Sequence, residues 1–246
     1  MLLEAHNVGR SFGGFPALTD ANLNVAQGEI VGLIGPNGAG KSTFFNCIAG
    51  DLVPTSGQIR FAGIDVTSQS AEQHAALGIG RTFQVPATFE DMTILENVMV
   101  GAFLRHGRRA DAEIKAIEIL RLTELEPQAG LLARSLGTPG RKRLEIARVL
   151  AIEPKLLLLD EALAGLTPSE VQRAIALVRR IHALGITIVI VEHIMEVIMT
   201  LAQRVMVFNN GHTIAQGIPA DVVRDPAVIE AYLGHRRQRS RRATPP

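Results

Sequence analysis

The segment that most constrains the fold is a glycine-rich turn between an apolar run and a helical pattern. Glu29–Ile34 is predicted to be a buried strand, and a helix is predicted to begin at Lys41. The turn matches the phosphate-loop (Walker A) pattern G-x-x-x-x-G-K-[ST]. Glycines let backbone N–H groups converge on phosphate oxygens, and the helix N-terminus adds its positive dipole end. The predicted nucleotide-binding residues of the loop are Gly35, Pro36, Asn37, Gly38, Ala39, Gly40, Lys41, Ser42 and Thr43.

Two side chains of this loop have defined chemistry toward a nucleoside triphosphate. The lysine of the pattern reaches the β- and γ-phosphates, and the hydroxyl that follows it ligates Mg²⁺. We therefore expect Lys41 to be catalytic, Ser42 to be a metal ligand, and the bound species to be a nucleoside triphosphate with Mg²⁺. Kinases, GTPases and ATPases share such loops, so the rest of the chain has to select among them.

Short apolar, β-branched runs alternate with helical segments along the chain, which favours an α/β fold with a P-loop core. Leu156–Leu159 and Ile186–Val191 are continuously apolar, as in strands of a mostly parallel sheet covered on both faces. Ahead of the phosphate loop, Leu3–Val8 and Leu18–Val25 are predicted to form an antiparallel N-terminal β subdomain. Pro168–Leu184 has helical spacing and is predicted to end at Gly185.

Between about 85 and 150 the pattern becomes helical, which predicts a helical subdomain inserted into the α/β core. The chain is predicted to form a single domain over residues 1–235, followed by a basic, disordered tail at 236–246 that carries five arginines. The predicted helices of the insertion are Thr93–Leu104, Ala112–Leu125 and Arg141–Ile152.

Composition excludes several other classes of protein. The net charge is +1, so we expect no nucleic-acid partner. The longest apolar stretches are far shorter than the roughly 20 residues of a spanning helix, and no signal-peptide core is present. We therefore expect a cytoplasmic protein. The one cysteine, Cys47, is predicted to be a buried apolar side chain.

The run Leu156–Leu159 ends in two adjacent acids, as a Walker B strand does. Asp160 is predicted to hold Mg²⁺ through a water molecule, and Glu161 is predicted to orient or deprotonate the attacking water. A second carboxylate beside the metal-bound one favours water activation over phosphoryl transfer to a substrate hydroxyl. The chain also has no N-K-x-D motif for reading guanine, so an ATPase is favoured.

Further motifs stand in the order found in ABC ATPases, and residues 2–234 resemble that family. Arg81-Thr-Phe-Gln84 resembles the Q-loop, which implies that Gln84 senses the Mg²⁺/γ-phosphate site and couples it to the membrane subunit. His193 resembles the switch histidine, which implies a contact to the γ-phosphate and the attacking water. Phe12 falls where the family stacks an aromatic ring on adenine, although a core position is the alternative. Ala164–Thr167 resembles the D-loop.

Within the family, the resemblance is to the larger ATPase of branched-chain amino acid importers. It rests on the R-T-F-Q segment and on Met92–Gly101, Leu144–Arg148 and Asp225–Gly234. It implies permease membrane subunits, a second ATPase subunit and an external solute-binding protein as partners. It also implies a location on the inner face of the cell membrane. Related systems carry urea, amides or aromatic acids, so the solute stays open.

The ABC signature segment, typically L-S-G-G-Q, departs from its pattern. Aligned without gaps, Gly137 replaces the serine and Pro139 replaces a glycine, which removes a hydroxyl and an N–H donor. In an alternative register, shifted by one residue, the Thr138 hydroxyl takes the role of the serine. Ala162 stands where a proline usually follows the catalytic glutamate. The predicted signature residues are Leu136, Gly137, Thr138, Pro139 and Gly140.

Three alternatives remain at this point. The chain could be a soluble ABC ATPase of DNA repair or translation, although it lacks the paired cassette, coiled-coil insertion or basic patches of such proteins. It could also be a cassette that mainly binds ATP in an asymmetric hetero-pair. Finally, the second ATPase subunit could be another copy of this chain, which would then form a homodimer.

Overall fold

The computed structural model describes residues 1–232, so the predicted tail at 236–246 lies outside the described residues. Strands begin near the N-terminus and recur to residue 217. The strands are β1 (Leu3–Phe12), β2 (Phe15–Val25), β3 (Ile30–Ile34), β4 (Ser56–Phe61), β5 (Ile64–Asp65), β6 (Ile79–Arg81), β7 (Leu156–Asp160), β8 (Thr187–Val191), β9 (Arg204–Asn209) and β10 (His212–Gly217).

Helices separate most of these strands, and two 3₁₀ turns lie at Glu126–Gln128 and Ala133–Ser135. Residues 226–232 are also helical. The helices are α1 (Lys41–Ala49), α2 (Ala71–Leu77), α3 (Ile94–Ala102), α4 (Arg109–Leu122), α5 (Thr138–Leu150), α6 (Pro168–Ala183), α7 (Met195–Leu201) and α8 (Pro219–Val222). Among the described residues, none of these helices combines the length and the apolar character needed to cross a bilayer.

The chain divides into two compact units, of which the first comprises residues 1–69 and those from 190 onward. This unit contains a four-stranded sheet with the order β2-β1-β4-β5. β1 pairs antiparallel with both β2 and β4. Leu3 and Ala5 alternate inward and are fully buried, and bulges after Ala5 shift the register. The predicted antiparallel N-terminal sheet is confirmed, whereas β4 and β5 were not predicted.

The first unit also contains β10, β9 and β3 in that order. All five residues of β3 are buried, and β3 runs parallel to β9 with Val31 opposite Arg204. β9 and β10 form a hairpin through Asn210 and Gly211, whose φ angles are +48° and +80°. A two-residue turn with positive φ at both positions is type I′, for which Asn-Gly is the preferred sequence. This hairpin was not predicted, although that dipeptide is a sequence signal for it.

The second unit comprises residues 70–189. β6 and β7 pair in parallel, and the side chains of Leu156–Leu159 are fully buried, as predicted for a strand covered on both faces. From Ile94 to Leu150 this fully described stretch has helices and 3₁₀ turns but no strand element, which confirms the helical character predicted there. The limits predicted for a helical subdomain, about 85 to 150, stay a prediction.

The ends of α5 and α6 are explained by capping residues and proline, and apolar periodicity alone does not locate them. α6 begins after a capping box formed by Thr167 and Glu170, and Gly185 follows its end with φ +86°, as predicted. α5 begins at Thr138, earlier than the predicted Arg141. The reason is Pro139, which suits the first helical turn because its fixed φ is helical and its missing N–H is not needed there.

Candidate active site

The phosphate loop has a backbone conformation that requires glycine. Gly35, Gly38 and Gly40 have φ angles of +148°, +80° and +100°. A Cβ on Gly35 would lie 2.2 Å from the carbonyl oxygen of Phe208 in β9, and one on Gly40 would lie 2.8 Å from that of Ala17 in β2. The loop is therefore packed directly against two strand backbones of the first unit.

Lys41 lies across the loop instead of extending into solvent. Its side chain is buried, and Nζ donates hydrogen bonds to the carbonyl oxygens of Gly35 and Pro36 at 2.7 and 3.0 Å. Gly40 is the N-cap of α1 and has no side chain to cap the first N–H groups, and Ser42 is exposed in the first turn. An ammonium and uncapped helical N–H groups thus lie together, which is the composition of an anion site.

An open cleft of about 580 Å³ lies beside the loop within the first unit. The β9–β10 turn supports it, because the Gly211 N–H donates to the Ala39 carbonyl at 2.9 Å and the Gly211 carbonyl accepts from the Thr19 N–H at 2.8 Å. The cleft is lined by Phe15, Pro16, Ala17, Gly38, Ala39, Gly40, Lys41, Ser42, Thr43, Asn210 and Gly211.

Two aromatic rings near the β1–β2 turn are exposed. Phe12 is 45% exposed, so the alternative that it fills the core is wrong. The guanidinium of Arg10 lies 4.9 Å from the centre of its ring. Phe15 is 72% exposed and, unlike Phe12, lines the cleft. Phe15 was not predicted as a candidate for stacking, although its position one turn from Phe12 is visible in the sequence.

In the second unit, Asp160 is the last residue of β7 and is 6% exposed. Its Oδ2 is 3.0 Å from Nη2 of Arg81, and its N–H donates to the Thr82 hydroxyl at 3.1 Å. This carboxylate is therefore buried beside a cation and fixed at its backbone. Arg81 belongs to the Q-loop motif, but no role was predicted for it from the sequence.

Glu161 has a left-handed backbone, with φ +46°. Gln84 Nε2 donates to its Oε2 at 2.7 Å, and Lys142 Nζ donates to its carbonyl oxygen at 3.2 Å. The structure thus joins the Q-loop glutamine to the predicted catalytic carboxylate. A positive φ is uncommon at a non-glycine residue, and such strained positions concentrate at functional sites.

The segment that carries Gln84 is held by neighbouring helices. The Glu145 carboxylate of α5 accepts from the Phe83 N–H at 2.9 Å, and Asn97 of α3 accepts from the Phe89 N–H and donates to the Phe89 carbonyl, both at 2.9 Å. Burial raises the pKa of Glu145, with hydrogen bonds from Phe83 and Ala87 acting in the opposite direction. Neither Glu145 nor Asn97 had a role predicted from the sequence.

The signature segment forms the start of α5. Gly137 is the N-cap with φ −69° and ψ 173°, an extended conformation open to any residue, and no side chain caps the helix. Gly137 and Thr138 are exposed, and Leu136 is buried. A Cβ on Gly140 would lie 3.0 Å from Cδ2 of Leu136. The helix therefore presents free N–H groups, but no hydroxyl is at its N-cap.

The predicted site residues are distributed over both units. The phosphate loop, Phe12 and His193 belong to the first unit, and Gln84, Asp160, Glu161 and the signature segment belong to the second. His193 is exposed just after β8, and its N–H donates to the carboxylate of Glu192 at 3.3 Å. No cluster of three or more His, Cys, Asp or Glu that could hold a metal occurs in residues 1–232.

The phosphate loop at a helix start, the acid that ends β7 with a second acid directly after it, and the glutamine bound to that second acid define a nucleotide-binding ATPase cassette. Residues 18–164 match the family model for the ABC transporter, and residues 212–237 match one for the branched-chain amino acid ATP-binding cassette transporter. The chain belongs to the ABC transporter family as an ATPase cassette. Its predicted fold class is thereby confirmed.

Relatives and solved structures agree with this assignment over almost the whole chain. The chain is 36% identical to the high-affinity branched-chain amino acid transport ATP-binding protein BraF of Pseudomonas aeruginosa, covering 95% of this chain and 98% of that protein. It is 38% identical to the corresponding LivG of Escherichia coli with the same coverage. A crystal structure of a nucleotide-free ATP-binding cassette from an ABC transporter superposes with a TM-score of 0.86 at 31% identity, covering 94% of this chain and 98% of that one. The ADP conformation of an ATP-binding cassette of an ABC transporter superposes with a TM-score of 0.86 at 32% identity, covering 95% of this chain and 98% of that one.

Proposed function

We propose that this chain binds and hydrolyses ATP to power import by an ABC transporter for branched-chain amino acids or related small solutes. The observation that carries the ATP-binding part is the phosphate loop, in which the Lys41 ammonium and the uncapped start of α1 meet at one place. The names of the relatives support the solute class, since both BraF and LivG are branched-chain amino acid transport proteins.

In the proposed site the first unit binds the nucleotide. Lys41 exchanges its two carbonyl partners for the β- and γ-phosphates, and the backbone N–H groups of residues 37–43 surround the phosphate oxygens. Phe12 stacks on the adenine, for which its exposed ring is suited. Each contact replaces water around a charged ligand by a fixed protein dipole or a π surface.

Mg²⁺ fits the donors that the chain offers. Asp160 is a buried carboxylate that already faces a cation, and Ser42 offers an exposed hydroxyl. Few protein ligands suit Mg²⁺, because this ion keeps waters and shares the phosphates of its nucleotide. We propose that Ser42, Asp160 and Gln84 hold it, and that it neutralises charge on the phosphates.

The remaining residues act on the attacking water. Glu161 orients or deprotonates this water. Gln84, which donates to the Glu161 carboxylate, senses the Mg²⁺/γ-phosphate site. His193 is proposed to contact the γ-phosphate and the same water. The hydrogen bond from Nε2 of Gln84 to Oε2 of Glu161 uses one of the roughly four acceptor positions of a carboxylate, so it orients Glu161 without preventing it from accepting from a water.

A second cassette completes the proposed machine. Two cassettes close head-to-tail, so that each lends its signature segment to the other's phosphate loop. We propose permease subunits, an external solute-binding protein and a peripheral position on the inner membrane face as the setting. The absence of a side-chain hydroxyl at the N-cap of α5 supports a hetero-pair in which the two sites hydrolyse at different rates.

The experiment that tests this proposal is light scattering of purified Glu161→Gln protein with and without MgATP. Slowed hydrolysis should trap a closed pair, and ATP-driven homodimerisation would show that Leu136–Gly140 is a working signature. A protein that binds ATP but stays monomeric would assign the second cassette to a different chain. Absence of ATP binding would overturn the proposal.

The solute class needs a separate test. The wild-type chain is reconstituted in vesicles with permease subunits and the solute-binding protein of a branched-chain amino acid system, and ATP-dependent leucine uptake is measured. Glu161→Gln serves as the matched control, because it keeps the subunit assembled but slows hydrolysis. ATP turnover without leucine uptake would leave the ATPase assignment intact and reject this solute class.

A further inference from the structure

The pairing of Arg81 with Asp160 is a buried ion pair within the second unit. The two side chains are only 12% and 9% exposed, and the nitrogen–oxygen distance is 3.0 Å. Arg81 ends β6, where parallel pairing with β7 sets it opposite Leu158, two residues before Asp160. Its guanidinium also lies 4.9 Å from the ring centre of Phe83 and donates through Nε to the Thr82 carbonyl at 3.4 Å. Strand register and local contacts thus fix the guanidinium against the carboxylate.

A carboxylate in such a place needs a positive charge nearby. Taking a buried ion out of water is costly, and leaving it there without its partner is strongly destabilising. A guanidinium satisfies this need when no metal is present, since it supplies both charge and hydrogen bonds. A divalent ion approaching the same carboxylate meets this positive charge, and like charges repel strongly at a poorly solvated position.

We propose that Arg81 is a positioning residue that stands in for the metal at Asp160 and competes with Mg²⁺ for that carboxylate when MgATP binds. This inference rests on the proposed function, in which Asp160 holds Mg²⁺. In this proposal Arg81 contacts neither the nucleotide nor the attacking water. It acts through Asp160.

The same short segment also holds the second carboxylate. Arg81 contacts Asp160 and, three residues later, Gln84 donates to Glu161 at 2.7 Å. Between them the Phe83 N–H is anchored to Glu145 at 2.9 Å. Moving Arg81 away from Asp160 therefore disturbs the residues that hold Gln84 against Glu161, so that arrival of the metal and release of the catalytic carboxylate become linked.

The test is the Mg²⁺ requirement of nucleotide binding by full-length Arg81→Gln. N-methylanthraniloyl-ATP binding is titrated with MgCl₂, and the half-saturating concentration is expected to fall about tenfold, because the variant has no guanidinium to displace. Without metal the variant should melt at a lower temperature than the wild type, and MgATP should raise its melting temperature by more. Arg108→Gln is the matched control, since Arg108 pairs with Asp111 at an exposed site and should change neither quantity.

Two further variants keep the result interpretable. Arg81→Lys retains a positive charge but offers fewer hydrogen bonds, so it should lower the half-saturating MgCl₂ concentration by about threefold. This variant replaces Arg81→Gln in the test if Arg81→Gln does not fold. An unchanged or increased Mg²⁺ requirement in either variant overturns the inference. Asp160→Asn separates the proposed metal role of Asp160 from the proposed competition by Arg81. If the Asp160→Asn protein has the same Mg²⁺ requirement as the wild type, the metal role of Asp160 is wrong, whatever the Arg81 variants show.

Discussion

The phosphate loop and the signature segment both form the start of a helix, α1 and α5, but they fix their backbones in different ways. Gly40 caps α1 in the left-handed region, and the loop before it is pressed against β2 and β9. Gly137 caps α5 in an extended conformation, and a Cβ added to it would come no closer than 3.9 Å to the side chain of Pro139. The backbone at the start of α1 is therefore determined by steric contact with its surroundings, whereas the start of α5 leaves room for a side chain.

Because of this contrast, the two segments tolerate change to different degrees. The phosphate loop cannot carry a side chain at Gly35 or Gly40 without moving a strand backbone, whereas Gly38 is favoured only by its positive φ. The signature segment can replace serine and glycine by Gly137 and Pro139 because the helix start accommodates both without strain. The departure therefore affects the donors offered to a nucleotide and leaves the fold unaffected, which agrees with the proposed asymmetry between the two sites.

The largest loss of activity is expected for Lys41→Ala. Removing the buried ammonium from the loop takes away charge stabilisation of the phosphates, so ATP turnover should fall by about a thousandfold. The measurement is phosphate release by the assembled transporter. Lys115→Ala, which removes a lysine paired with Glu118 and Glu153, is the control and should retain wild-type turnover. Turnover of Lys41→Ala within tenfold of the wild type would contradict the assigned role.

The steric contrast predicts unequal costs for two glycine substitutions. Gly35→Ala places a Cβ 2.2 Å from a backbone oxygen at a φ of +148°, so the free energy of unfolding should fall by about 3 kcal/mol. Gly137→Ala only weakens an N-cap and should cost about 1 kcal/mol or less. Urea titration followed by circular dichroism measures both. Equal costs would show that the two helix starts are constrained alike.

Restoring the missing hydroxyl should raise activity. Gly137→Ser fits the extended N-cap without strain and should increase turnover at the site that this segment completes by about tenfold. Thr138→Ala distinguishes the two registers of the signature segment. If Gly137 occupies the place of the serine, Thr138→Ala should leave ATP turnover nearly unchanged. A large loss in Thr138→Ala, without a gain in Gly137→Ser, would favour the register shifted by one residue.

A weaker, pH-dependent effect is expected at Glu145, further along α5. Burial raises the pKa of Glu145 above its ordinary value of 4.5, so the folded protein binds this proton more tightly than the unfolded chain does. The free energy of unfolding of the wild type should therefore decrease as the pH rises through the raised pKa of Glu145. Glu145→Gln has no carboxyl group at this position and should not show the decrease. The unfolding free energy of the variant relative to the wild type, measured by urea titration, should increase from pH 4 to neutrality. A difference independent of pH would show that Glu145 carries no such linkage.

The sequence predicted well those parts whose causes are local. Apolar runs identified β3, β7 and β8, and the phosphate loop was identified by its glycines. Apolar patterns do not reveal the roles of Arg81, Glu145 and Asn97. Each of these side chains contacts a residue that is distant in the sequence or that is positioned by tertiary packing. Arg81 meets Asp160 only through the pairing of β6 with β7, and the three-residue strand β6 is too short to leave a periodic pattern. The β9–β10 hairpin is not among the predicted elements, although its Asn210-Gly211 turn is a local sequence signal for it.

The support of the phosphate loop by the β9–β10 hairpin has a consequence for synthesis of the protein. Gly35 packs on Phe208, and Gly211 forms hydrogen bonds with both Ala39 and Thr19, so the phosphate loop is supported by residues that are translated well after it. A chain emerging from the ribosome carries the loop sequence long before it carries the strands that shape it. The capacity to bind nucleotide should therefore arise only after this turn has emerged, and nascent chains halted before it should not bind nucleotide.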